Sequence, residues 1–579
     1  MPHPDSHSPV SARLARAAWF FPVVLWFIVT FYFLGDLGKY SDDYCFTKLD
    51  PSTGKTASLL FWPGTHFWRP AHIILTYALQ TTLWEHEQVN HFINAAMHGA
   101  VVLLLWRLLI QLGRSRCAAA LAALAFLTAP VAYEVPFWPA ALSTSIATAL
   151  FLVLAQMYAS WSRQRLSARW LPVMAILAFL IPCFNEQPAT GIAALPLLHA
   201  ALAPIGLRPR AVLRALGPAL MCAAVCVVYI VLLVTTAYPG ARGGAGSYTT
   251  LAQTPEKLSW LLGELRGHFL PNQFWYAATK QGLRTLAGGG LGALLATALV
   301  VVASIPFIRW LIRRASNSPP AVAAQARASL LWAFAFGVAI FLLAWLPVAA
   351  IWSQDAAPRL CYAPMIGIAL MLAAVIDAAL KSLPPRRPAV GMALVLAVPA
   401  LLLIPLAIAS LGLQTAMYHR GHLDRTDAAS LRTLAPTPVP NTVVLPLALD
   451  SRPTHTGVEL FDNRLVSVWE TPWSAVAYMN HVYGRKDVYG AHLWRGDRAS
   501  PVLSMDENFV RHAETIKPFR PDPAGGVRIP WANILPFVSQ ADGSLRLVTH
   551  IIVPSGATVE VPQSKGQPRL EFRWPPPPP

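Results

Sequence analysis

Eleven apolar runs of membrane-spanning length dominate the chain, at roughly 17–35, 92–112, 117–134, 139–160, 170–185, 187–205, 215–236, 286–308, 328–351, 359–380 and 388–413. Each is close to the ~20 residues that a bilayer core requires. A water-soluble core cannot be the main destination of so much apolar surface, because 55% of the 579 residues are hydrophobic and only 13% are charged. The expected fold is an all-α polytopic membrane protein of about eleven transmembrane helices. Pro182 and Pro188 interrupt the two short runs at 170–185 and 187–205, whose ends are therefore the least sharply defined. The first run follows Arg13 and Arg16 and ends in GDLGKY without a small-x-small cleavage site, so it reads as a retained signal anchor.

The positive-inside rule supplies an independent test of this count. With a cytoplasmic N-terminus, the inside segments hold 18 basic residues and one acid, Asp5, whereas the outside connections between helices hold 10 basic and 11 acidic residues. The formal net charge of +17 is thus a topology signal, spread over short connections, and not a patch for nucleic acid. Six cysteines stand singly, with neither a disulfide framework nor a paired metal-ligand spacing, and read as packing residues.

This topology places four regions outside. Residues 36–91 include WRPAHIILTYALQTTLW, too short to span and bracketed by Trp68 and Trp84, which suits a helix lying at the interface. Residues 237–285 open with a Gly-rich stretch and continue into an expected amphipathic helix around 254–268. The third region is the turn WSQDAAPR at 352–359. In the fourth, 414–574, NTVVLPL, GVELF, RLVTHIIV, TVEV and RLEFRW alternate as short strands do, so a small β-containing domain, α/β or β-rich, is expected outside the membrane. The tail 575–579 is polyproline.

Ionisable groups kept near the membrane boundary are functional candidates, here Asp42, Asp43, Glu134, Glu186 and Asp355, with solvated loop charges or helix caps as the alternative for each. Asp42 and Asp43 are adjacent, so deep burial of both as ions would require a metal or a cation between them. A carboxylate there can serve as general base towards a hydroxyl. Arg69, in FWRPAH, could hold a phosphate with its guanidinium fork or simply anchor to lipid headgroups. His91, Asn94 and His98, at i, i+3 and i+7, share one helix face, where hydrogen bonding to a neighbouring helix is the favoured role and no third ligand completes a zinc site. LDPSTGKT at 49–56 ends like a nucleotide-binding loop, yet Leu49 stands where the first glycine is required.

Taken in order, SDDY, FWRPAHIIL, NHFINAAMHGAVVLLLWRLL, CFNEQPATGIAALPLL and WLPVAAIWSQDAAPRLCYAPMIGIALML give residues 15–415 a likeness to a known group. The region resembles the GT-C superfamily of integral-membrane glycosyltransferases, in particular bacterial relatives of the protein O-mannosyltransferases and the tetratricopeptide-bearing mannosyltransferases. The resemblance implies catalysis by the acidic pair Asp42 and Asp43, an RP motif at Arg69 and Pro70, an H-x-x-N-x-x-x-H pattern at His91, Asn94 and His98, and an R-x-x-Y at Arg359 and Tyr362. The K-E dipeptide of the family appears as Asn185 and Glu186, so its lysine is missing. No tetratricopeptide pattern follows residue 414.

The resemblance implies an inverting transfer of a sugar from a polyprenyl-phosphate donor to an acceptor hydroxyl on the outer face of a bacterial inner membrane. One aspartate would act as base while Arg69 or Arg359 stabilises the departing phosphate. A divalent cation, Mg or Mn, at Asp42 and Asp43 stays open, as does the acceptor. The implied partners are the lipid-linked sugar and membrane lipids, with no nucleic acid. A flippase for lipid-linked sugar, or a glycan ligase or polymerase, is the alternative.

Overall fold

The computed structural model describes residues 20–31, 37, 69–83, 86–202, 209–236, 249, 252–270, 273–316, 323–350, 358–382, 388–448, 469, 472–491, 503–513, 516, 519–523, 525–540 and 544–574. The chain divides into two compact units that part between Thr415 and Ala416. Asp42, Asp43, Asp355, the strand expected at GVELF and the polyproline tail lie outside the described residues.

The first unit is helical. Its early elements are α1 (Phe20–Phe31), α2 (Pro70–Leu83), α3 (Glu87–Gln111), α4 (Arg116–Leu127), the short α5 (Glu134–Phe137), α6 (Leu142–Ser162), α7 (Leu171–Phe184), α8 (Glu186–Ala189), α9 (Leu195–Leu202) and α10 (Pro209–Thr236). They are followed by α11 (Thr254–Phe269), α12 (Gln273–Gly288), α13 (Gly290–Ser316), α14 (Ala323–Leu343), α15 (Leu346–Ala350), α16 (Tyr362–Ser382) and α17 (Pro388–Leu434). By length and composition, four stretches are long and apolar enough to cross a membrane: Glu87–Gln111, Pro139–Ser162, Ala328–Ala350 and Arg359–Ser382. Five shorter apolar helices accompany them among the described residues. The described residues therefore form a mainly helical protein with membrane-spanning capacity; they give four candidate spans and do not establish the expected count of about eleven.

Several runs end or break for local reasons. The run expected over 187–205 is divided into α8, a 3-10 turn at Thr190–Ala194 and α9. Asn185 caps α8 by accepting from the Gln187 amide at 3.0 Å, and Pro188 removes a backbone donor there. The run expected over 117–134 closes at Leu127, after which Pro130–Ala132 forms a 3-10 turn leading into α5. In the opposite sense, α17 does not stop at residue 413 but runs on to Leu434, 47 residues in all, because QTAMYHRGHLDRTDAASLRTL contains no proline and keeps helical spacing of its apolar residues. The amphipathic helix expected around 254–268 is α11, whereas α12 had not been anticipated.

Helix packing draws on small residues. Gly337 of α14 faces α16 so closely that a Cβ there would lie 2.7 Å from the Gly367 carbonyl oxygen, so the backbones meet where side chains would hold them apart. A second apolar cluster joins Phe21, Leu25 and Val29 of α1 to Leu121 and Leu124 of α4, Phe307 of α13 and Ile376 of α16. The five described cysteines form no disulfide among the described residues; Cys222 and Cys226 donate to the carbonyls of Met174 and Ala178.

The second unit contains β1 (Thr442–Ala448), α18 (Pro472–Tyr483), β2 (Val488–Gly490), β3 (Leu503–Met505), β4 (Phe509–His512), β5 (Val527–Pro530), β6 (Ile534–Ser539), β7 (Leu545–Leu547), β8 (His550–Ile552), β9 (Thr558–Glu560) and β10 (Glu571–Arg573). One sheet has the order β2-β1-β6-β7, with β1 parallel to both β2 and β6. Val443, Leu445 and Leu447 pack on one side of it, and Val444 on the other with Tyr478 and Met479 of α18. Burial on both faces explains why TVVLPL is a continuous apolar run. Pro446 lacks a ladder donor, and the pairing with β6 shifts register between Pro446 and Ala448.

Candidate functional site

Two arginines that precede helices meet two carboxylates that begin others. Arg69, just before α2, donates from Nε to both oxygens of Glu186 at 3.1 and 2.9 Å and from Nη2 to Oε2 at 2.5 Å. Burial opposes the charge of Arg69, but attraction to Glu186 outweighs it and holds the guanidinium above its ordinary pKa. Arg359 lies in the 3-10 turn Pro358–Cys361 that leads into α16. Its backbone amide donates to Glu134 Oε2 at 3.1 Å and its Nη1 to the same oxygen at 3.3 Å, and its guanidinium lies over the Trp138 ring, 5.2 Å from the centroid.

Glu134 is 1% exposed while the Arg359 side chain is 35% exposed. A buried carboxylate therefore orients an arginine that keeps part of its fork open. The Arg69 side chain is 24% exposed against 17% for Glu186. The solvated-loop alternative for Glu134 is thus replaced by a buried ion pair, and Glu186, without the lysine that the family pattern would supply, is an arginine partner.

The residues of the α3 stripe support this assembly. Asn94 is fully buried and its amide donates to the carbonyls of Val135 at 2.6 Å and Trp138 at 3.0 Å, which fixes the backbone within α5 and at its C-terminal end. His98 lies between Leu127 and Tyr362. Because a carbonyl can only accept, Nε2 carries the proton towards Leu127 O at 3.4 Å, and Nδ1 accepts from the Tyr362 hydroxyl at 2.7 Å. Asn94 and His98 therefore bond to neighbouring segments, as the favoured reading of that stripe held, and Tyr362 joins them. His91 shares their face and is also buried.

The structure thus brings Arg69 to Glu186, Arg359 to Glu134, and Tyr362 to His98. Asp42 and Asp43 are outside the described residues, and no group of three or more His, Cys, Asp or Glu that could hold a metal occurs among the described ones. Sequence reasoning gave no role to Gln187, whose Nε2 donates to Leu360 O at 2.5 Å, or to Trp138. It also passed over Asp377, a lone acid inside an apolar run. That carboxylate is 1% exposed, accepts from the Ser115 amide at 3.1 and 3.2 Å, and faces Arg114 and Lys381 at 3.8 Å each.

No family model matches the chain, and no curated protein matches it. Among solved structures it is similar to the Archaeoglobus fulgidus oligosaccharyltransferase tethered with an acceptor peptide containing the NVT sequon via a disulfide bond. The two chains are 13% identical, with a TM-score of 0.35, over 83% of this chain and 69% of the other.

Proposed function

We propose that this chain is a membrane glycosyltransferase that moves a sugar from a polyprenyl-phosphate donor to an acceptor hydroxyl on the outer face of a bacterial inner membrane. The observation that carries the reading is the pair of part-exposed arginines, each aimed by its own carboxylate, that precede α2 and α16. A lipid phosphate at the interface presents oxygens in the geometry that guanidinium forks match. Preorganised cations there stabilise the charge that develops on a departing phosphate, with no reorganisation needed during reaction.

In this mechanism Asp42 or Asp43, assigned from the sequence pattern, removes the proton of the acceptor hydroxyl. The hydroxyl oxygen bonds to the anomeric carbon as the bond from that carbon to the phosphate oxygen breaks, and a single displacement inverts the anomeric centre. Polyprenyl phosphate leaves with the bonding pair, and Arg69 and Arg359 balance its added charge. A divalent cation at Asp42 and Asp43 would supply further positive charge to the phosphate.

The test is to incubate detergent-solubilised protein with radiolabelled polyprenyl-phosphate sugar and follow the lipid-linked label. The expected result is loss of label from the lipid, abolished in Asp42→Asn or Asp43→Asn with folded protein retained. Movement of label across vesicles without turnover would replace this reading with a flippase, and full activity of both variants would remove the base.

A further inference from the structure

We infer that Gln187 is a positioning residue that sets the separation of Arg69 and Arg359, an inference that rests on the proposed phosphate-binding role of those arginines. A four-residue helix such as α8 cannot hold its own shape, because so short a segment forms too few internal bonds to repay its nucleation. It is held from outside. Asn185 caps it and in turn donates from its amide to Thr144 Oγ1 of α6 at 3.0 Å.

On that anchored turn, consecutive side chains reach both arginine segments. Glu186 grips the Arg69 guanidinium, and Gln187 donates to the carbonyl of Leu360, the residue after Arg359. Adjacent Cα atoms are about 3.8 Å apart, a distance fixed by the peptide geometry. The two arginine-bearing segments are therefore tied to one rigid dipeptide, and Glu134 then orients the Arg359 side chain from the other direction.

The chemistry of residue 187 agrees with a donor role. Gln187 is 2% exposed, and its Oε1 has no hydrogen-bond partner among the described residues. A buried carbonyl without a partner is costly, and an alkyl side chain would fill the space without that cost. What the amide supplies and an alkyl chain cannot is the N–H directed at Leu360.

The experiment measures binding of polyprenyl phosphate to the full chain in lipid nanodiscs for wild type, Arg359→Ala, Gln187→Leu and the double variant, with thermal unfolding alongside. Gln187→Leu is expected to weaken binding about tenfold, as loss of a buried hydrogen bond would. In the Arg359→Ala background it is expected to weaken binding no further, because the segment it positions no longer carries its guanidinium. Gln187→Asn keeps the amide one methylene short and is expected to follow Gln187→Leu, so it stands in if the leucine variant fails to fold. Wild-type affinity in the Gln187 variants, or equal weakening in both backgrounds, overturns the positioning role while leaving the arginines in place. Wild-type affinity in Arg359→Ala overturns the phosphate reading itself, and this inference with it.

Discussion

An arginine–carboxylate pair lies near each end of α16, sealed at one end and open at the other. His98, midway along α3, meets Tyr362 at the N-terminal end of α16, and Arg114, in the turn after α3, meets Asp377 near the C-terminal end of α16. Both contacts occur in the same chain order along the two segments, so the helices run in the same direction. At the sealed end the side chains of Arg114 and Asp377 are 2% and 1% exposed, and Arg114 donates to Leu112 O at 3.3 and 3.0 Å and to Ser329 Oγ at 2.9 Å. At the open end Arg359 is 35% exposed and makes one side-chain bond, to a carboxylate that is itself buried. The same chemistry thus fastens helices where every donor faces protein, and presents a cation where the acid is buried and the base is not.

The largest effect should come from breaking the sealed pair. Asp377→Ala strands the buried charge of Arg114 and is expected to cost about 3–5 kcal/mol, read as a fall in thermal midpoint or loss of monodisperse protein in detergent. Adding Arg114→Met should restore a large part of that loss, since two apolar groups need no partner. A double variant no more stable than Asp377→Ala would show that the sealed end is more than a fastening.

Next in size, Arg359→Ala at the open end should lower sugar turnover about 100-fold, the scale for losing one preorganised donor at a developing anion. Its thermal midpoint should fall less than that of Asp377→Ala, because the backbone amide of residue 359 still donates to the buried Glu134 in the variant. A large fall in midpoint with turnover per folded molecule unchanged would make the two ends alike.

A smaller effect is expected between the ends. Gly337→Ala places a methyl group 2.7 Å from the Gly367 carbonyl oxygen and should destabilise by about 1–3 kcal/mol as α14 moves off α16. If α16 sets the relation of its two ends, turnover should fall with it. Unchanged turnover at full stability would remove α16 as the ruler.

The smallest effect lies in the second unit, where a pair open on both sides provides the contrast. The Arg485 guanidinium, bonded to Asp487 at 2.8 and 2.7 Å, holds that carboxyl below the usual range. A depressed folded pKa adds stability that is present above the unfolded pKa and lost as the pH falls through the folded value. Wild type should therefore be only slightly more stable than Asp487→Asn above about pH 4, and the difference should vanish as the pH falls below that. A wide difference would mean that solvent screening of this pair is weaker than its exposure implies.

Much of this arrangement was legible in the sequence and some was not, for reasons that lie in particular residues. The apolar runs are carried by period and length, so α3, α6 and α16 were found near their observed bounds. The stripe of His91, Asn94 and His98 was visible because helical spacing places it on one face. What period does not encode is a break: Asn185 caps α8 locally and α4 closes at Leu127 shortly before Pro130, both inside otherwise apolar runs. Pairings such as Arg69 with Glu186, 117 residues apart, are contacts of the fold. Asp377 is legible as an acid in an apolar run, but nothing in its spacing names Arg114, far away in the chain, as its partner. The strand at TVVLPL was found from composition, whereas β2 to β5 are too short for alternation to register.

The account turns on the open end taking a lipid phosphate. The most direct measurement is the affinity of nanodisc-reconstituted protein for polyprenyl phosphate, comparing wild type with the Arg69→Ala/Arg359→Ala double variant at matched thermal midpoints. The prediction is a loss of affinity of at least about 100-fold, the sum of two charge-assisted contacts. Equal affinity in folded double-variant protein would contradict it.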